Sequence, residues 1–75
     1  MDDLETELVD TIVRIVRTRR LRQSQLRDLR TLLGQNKDGT ELQRRLDESK
    51  AFLRQLQSKR KELRTRLLHS RASQR

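Results

Sequence analysis

The sequence predicts an all-α fold, an antiparallel two-helix hairpin of the helical coiled-coil type. Three observations carry this. Leucines and isoleucines recur every three or four residues on both sides of one central break; that break, Gly34-Gln35-Asn36-Lys37-Asp38-Gly39, holds the only two glycines; and proline is absent from all 75 residues. Spacing of 3.5 residues kept up over several heptads is a coiled-coil seam, not a strand pattern. A chain so poor in turn residues cannot build a small β-barrel.

The first helix is expected over about residues 3–33, with Leu8, Ile12, Ile15, Leu26, Leu29 and Leu33 as its seam and Arg19 and Arg22 in the intervening places. Asp2 and Glu5 have capping-box spacing, and acids in the first turns suit a helix N-terminus. Gly34 can take the left-handed conformation that ends a helix. After a loop over 34–39, the second helix is expected over about 40–68. Its seam is Leu42, Leu46, Ser49, Leu53, Leu56, Arg60, Leu63 and Leu67. Thr40 and Gln43 form a second capping box. Beyond Leu68, residues 69–75 contain no periodic apolar residue and read as a flexible tail. The whole is one helical domain, 1–75, with helices about 45 Å long.

A connection of about six residues makes the helices antiparallel neighbours. If facing residue numbers sum to 75, every seam position meets another, from Leu33 opposite Leu42 to Leu8 opposite Leu67. The same register lays the acidic start (Asp2, Asp3, Glu5, Glu7, Asp10) beside the basic end (Arg64, Arg66, Arg71). Val9, Val13 and Val16 form a further apolar stripe about 100° around the first helix from its seam. No third element exists to cover them. The expected outcome is a homodimer, two hairpins closed into a four-helix bundle with these valines in its interface.

Composition narrows function. There are 19 Lys and Arg against 11 Asp and Glu, one histidine, one aromatic residue and no cysteine. Disulfides, thiol nucleophiles and cysteine-zinc sites are excluded, and His69 alone supports neither a metal site nor a triad. We expect no enzyme, no cofactor, no metal and no small-molecule substrate. No apolar run approaches the roughly 20 residues of a membrane span, and the acidic N-terminus is unlike a signal peptide. An intracellular, cytoplasmic protein without membrane contact is expected.

The basic residues are segregated. Residues 14–30 carry seven arginines against one aspartate, and residues 50–75 carry nine Lys and Arg against Glu62 alone. Such one-signed stretches suit a polyanion. Single-stranded readers stack bases on aromatic platforms, which one Phe52 cannot supply. A duplex backbone remains. On the face of the second helix opposite its seam, Arg44, Arg54 and Lys61 alternate with Ala51, Ser58 and Thr65, Lys50 lies at the edge, and Asp47 interrupts. The candidate duplex-binding residues are Arg44, Lys50, Arg54, Ser58, Lys61 and Thr65, the cations for phosphates and the small residues for close approach.

The segment Leu42-Gln43-Arg44-Arg45-Leu46-Asp47, with Ala51-Phe52-Leu53 and Thr65-Arg66-Leu67-Leu68, resembles the second helix of the nodaviral RNA-silencing suppressors, small all-helical dimers that coat double-stranded RNA. The resemblance implies sequence-independent binding of double-stranded RNA by backbone and shape, suppression of host silencing by shielding the duplex, and a place in a host cell. It also matches Arg44 to an RNA-contacting arginine of that family. Gln55 and Glu62 depart from it, standing where the family carries basic residues. The chain also resembles the antiparallel coiled-coil finger of Rho-effector kinases, which implies a protein-interaction module for a small GTPase or another protein. The arginine content and the valine stripe are features such a finger does not need.

Overall fold

The computed structural model describes residues 3–73: two helices, α1 (Asp3–Gly34) and α2 (Thr40–Ser73), packed along their lengths as an antiparallel hairpin. The rod measures 62 × 17 × 13 Å between Cα atoms. Asp2 of the first capping box lies outside the described residues. Glu5 reaches across the hairpin and accepts a hydrogen bond from Arg71 at 3.1 Å. With Lys59 paired to Glu7 at 3.4 Å, it joins the acidic start of α1 to the basic end of α2. This fastening accompanies a longer α2, which stays helical to Ser73, with Ser70 half-buried.

The α2 seam is the expected one. Leu46, Ser49, Leu53, Leu56, Leu63 and Leu67 are buried, while Leu42 and Arg60 are half-buried. The α1 seam is corrected. Leu8, Ile15, Arg22 and Leu29 keep their places, but Ile12, Arg19, Leu26 and Leu33 are exposed, and Thr11, Thr18, Gln25 and Leu32 are turned inward instead. Both sets have 3-4 spacing, so periodicity cannot choose between them. Polar satisfaction can. Burying Arg19 would desolvate a guanidinium, whereas Thr18 and Thr11 donate their hydroxyls to the Arg14 carbonyl (2.7 Å) and the Glu7 carbonyl (2.8 Å) and so enter the seam at little cost. Ser49, buried in α2, has the Gln25 side-chain oxygen and the Leu46 carbonyl each 2.9 Å from its hydroxyl. The expected Leu26 opposite Ser49 would have offered nothing. Among the described residues no buried side-chain nitrogen or oxygen lacks a hydrogen bond.

The loop differs in two details. The left-handed residue is Asn36 (φ 56°), not Gly34. The Lys37 amide donates to the Leu32 carbonyl at 3.0 Å and the Asn36 amide to the Leu33 carbonyl at 3.1 Å, a Schellman closure slightly later in the chain than expected. Asparagine tolerates this conformation better than other non-glycine residues. Gly34 therefore sits in ordinary helix, and a Cβ there would meet nothing within 4 Å. Gly34→Ala should stabilise the hairpin by about 0.5–1 kcal/mol, read as a rise of a few degrees in thermal melting by circular dichroism. Gly39 lies close to the core: a Cβ there would fall 2.6 Å from Cδ1 of the buried Leu29, whose side chain would have to shift to admit it.

The Thr40–Gln43 capping box does not form. Asp38 accepts from both the amide and the hydroxyl of Thr40, and Gln43 turns to donate to Asp47 at 3.1 Å. A carboxylate at a helix N-terminus accepts more strongly than a hydroxyl and suits the positive end of the dipole. The two bonds from Thr40, side chain first, hold the Asp38 carboxyl below the usual aspartate range. A lowered folded pKa contributes stability that is complete above the unfolded value and is lost as pH falls through the folded one. The Thr40 amide resonance should accordingly titrate with a midpoint below that of an unstructured aspartate, and Asp38→Asn should abolish the transition.

Candidate nucleic-acid interface

The candidate duplex-contacting residues lie on α2, whose seam fixes which side chains point outward. Arg44, Lys50, Arg54, Ser58, Lys61 and Thr65 are all exposed. Their chemistry differs. Arg44 lies 2.6 Å from Glu41 and 3.5 Å from Glu48, and Glu41 also lies 3.4 Å from Arg45. The same pairing, hydrogen bond first and then the nearby charge, raises the Arg44 pKa and lowers that of Glu41. Arg44 thus presents a locally neutralised charge. Thr65 donates its hydroxyl to the Lys61 carbonyl at 3.0 Å, leaving it only as an acceptor.

Lys50, Arg54 and Lys61 have no carboxylate within ion-pair distance among the described residues, and neither does Arg64. The four follow one another at 4-7-3 spacing, which places them along one exposed stripe of α2 about 21 Å long, with Arg54 and Lys61 turned away from the seam, Lys50 and Arg64 nearer its edge, and the exposed Ser58 alongside. The other exposed cations of α2 are engaged: Arg44 and Arg45 with Glu41, Lys59 with Glu7, Arg66 with Glu62 at 2.9 Å, and Arg71 with Glu5. Arg64 was expected to face the acidic start of α1, a task taken by Arg71 and Lys59, and so adds an unneutralised cation to the site. The signal was available, since no acid stands three or four residues from Arg64.

Helix α1 adds more. None of its seven arginines, from Arg14 to Arg30, has a carboxylate within ion-pair distance among the described residues. Arg19 and Arg22 border a cleft of about 390 Å³ with Gln57 of α2. Phe52 is half exposed but lies on the side of α2 away from the cationic stripe, beside Leu21 in a second, shallow depression. No aromatic ring stands among the free cations.

Val9, Val13 and Val16 are exposed by 51%, 39% and 42%, and the corrected seam adds Ile12 at 40% to the same patch. Four contiguous aliphatic side chains left in water on one helix are more than a scattering of surface residues. Among the described residues there is no group of three or more His, Cys, Asp or Glu able to hold a metal ion, and no helix is long and apolar enough to cross a membrane. No protein-family model, no curated protein and no solved structure matches the chain.

Proposed function

We propose that this protein binds double-stranded RNA through its phosphates, independently of sequence, as a dimer of hairpins, and thereby shields the duplex from the nucleases of RNA silencing. The observation that carries the reading is the stripe Lys50, Arg54, Lys61 and Arg64, four cations that no acid among the described residues neutralises. An unpaired surface cation retains its full charge for a phosphate, and each phosphate it neutralises releases condensed counterions. Ser58 can donate to a phosphate or a ribose, and the Thr65 oxygen can accept from a 2′-hydroxyl, the group that distinguishes RNA from DNA. Base stacking is not part of the mechanism, since the one aromatic ring faces elsewhere. At 32 and 34 residues the helices extend about 50 Å, comparable to the roughly 16 base pairs that double-stranded RNA readers span. Dimerisation through Val9, Ile12, Val13 and Val16 would display the stripe twice.

The test is a gel-shift comparison of duplex RNA, duplex DNA and single strands over a range of salt. The expected result is tight, sequence-indifferent retardation of duplex RNA, with log affinity falling linearly against log salt. A second reading, a coiled-coil module for a protein partner, is favoured by the exposed Leu21–Phe52 pair on the opposite side. Absence of any duplex shift at low salt would transfer the weight to it.

A further inference from the structure

The geometry points to a second phosphate seat, in the cleft between α1 and α2 bounded by Arg19, Arg22, Gln23 and Gln57. This inference rests on the duplex-binding reading and extends it from α2 to α1. Arg22 occupies a seam position that a coiled coil normally fills with an aliphatic residue, and it is half-buried against a helix whose opposing residue in the same cleft is Leu53. Arg19, one turn earlier on the same side, borders the same cleft. Neither guanidinium has a carboxylate within ion-pair distance among the described residues. Two like charges three residues apart on a helix repel each other, and a partly desolvated cation without a counter-ion is costly.

A phosphate answers both deficits. Two guanidiniums offer planar forks matched to its oxygens, and the Gln23 and Gln57 carboxamides supply neutral donors beside them. The floor of Leu26 and Leu53 accepts the apolar side of a ribose. Gln57 belongs to the same stripe of α2 as Lys50, Arg54, Lys61 and Arg64, so the cleft opens onto the free cations already described. The ligand group is a phosphate of RNA, either a backbone diester or a 5′-terminal monoester. The duplex would then cross both helices instead of lying along α2 alone.

The cleft can be tested apart from the fold, because Arg22→Leu restores an apolar seam layer and should stabilise the hairpin. The double variant R19Q/R22L should melt no lower than wild type yet bind duplex RNA at least fivefold more weakly at physiological salt. Equal losses on 5′-phosphorylated and 5′-hydroxyl duplexes assign the seat to the backbone, and a loss confined to the phosphorylated ends assigns it to the terminus. Titration of wild type with inorganic phosphate, followed by the arginine Nε–Hε resonances, should move Arg19 and Arg22 before Arg44. Duplex binding by R19Q/R22L within twofold of wild type, with Arg19 and Arg22 unmoved by phosphate, overturns the seat while leaving duplex binding on α2 intact. Movement of those two signals by phosphate in a wild-type protein that binds no duplex keeps the seat and overturns the duplex reading.

Discussion

Joint replacement of Arg54 and Lys61 by alanine is expected to weaken duplex RNA binding at least tenfold at physiological salt and to do so equally for unrelated sequences. Both side chains are exposed and neither is paired with a carboxylate among the described residues, so each is free to bond a phosphate. Tenfold corresponds to about 1.4 kcal/mol, a modest demand on two charge-assisted bonds. The salt slope should flatten by about 0.9 for every phosphate left without its cation. That is roughly two if a single hairpin meets the duplex and nearly four if both protomers of a dimer do. Folding should be almost untouched, since surface changes away from special features usually cost under about 0.5 kcal/mol.

Two controls show which face of α2 is used. Arg44→Ala removes a cation already engaged by Glu41 and Glu48, so its effect on affinity should be smaller than that of Arg54→Ala. Arg60 is half-buried at a seam position, and Arg60→Leu should stabilise the hairpin while leaving affinity near wild type. Loss of binding in Arg60→Leu together with unimpaired binding by the Arg54/Lys61 variant would mean that α2 meets the duplex with another face.

The difference between α1 and α2 shows what a single sequence can and cannot specify about this fold. In α2 the leucines, Leu68 apart, stand at one set of 3-4 positions and charged or polar residues fill most of the rest, so the pattern has one solution. In α1, Leu8, Ile15, Arg22 and Leu29 belong to two possible seams, and apolar residues lie on both sides of them. The choice falls to Gln25, Thr18 and Thr11, polar side chains that enter because their hydrogen bonds are met by Ser49 or by the preceding turn. That information lies across the hairpin or in local back-bonding, not in hydrophobic period. The loop is similar: two glycines draw attention to themselves, yet the left-handed turn falls on Asn36, where the Schellman bonds require it.

For the candidate interface, composition, one-signed runs and local ion pairing are legible in the sequence, whereas the pairing of Lys59 and Arg71 across the hairpin is not. Glu41 stands three residues before Arg44 and four before Arg45, a spacing that already implies pairing on a helix. Applying it separates Arg44 from Arg54 and Lys61 without any tertiary knowledge. The cleft at Arg19 and Arg22 is of the other kind. It exists because α1 is rotated so that Arg19 leaves the seam, and no reading of α1 alone reveals that Gln57 and Leu53 of α2 complete it.

Val13→Asp is expected to convert a dimer of hairpins into single chains. Val13 lies within the exposed patch of Val9, Ile12 and Val16. A two-fold axis through this patch would bring the two introduced carboxylates close together in an apolar interface. Like charges there cost both desolvation and repulsion, and a loss of about 2.7 kcal/mol already weakens association a hundredfold. Light scattering should show the mass falling toward one chain at concentrations where wild type remains paired. Leu21→Asp is the matched control: Leu21 is more exposed than Val13, at 53% against 39%, but borders the depression with Phe52 away from the valines. It should leave the mass unchanged. Separation of the chains should also roughly halve the salt slope of duplex binding, because each chain then carries only its own stripe of cations to the phosphates. A wild type that already runs as one chain removes the four-helix arrangement, and dissociation by Leu21→Asp alone moves the interface to the Phe52 side.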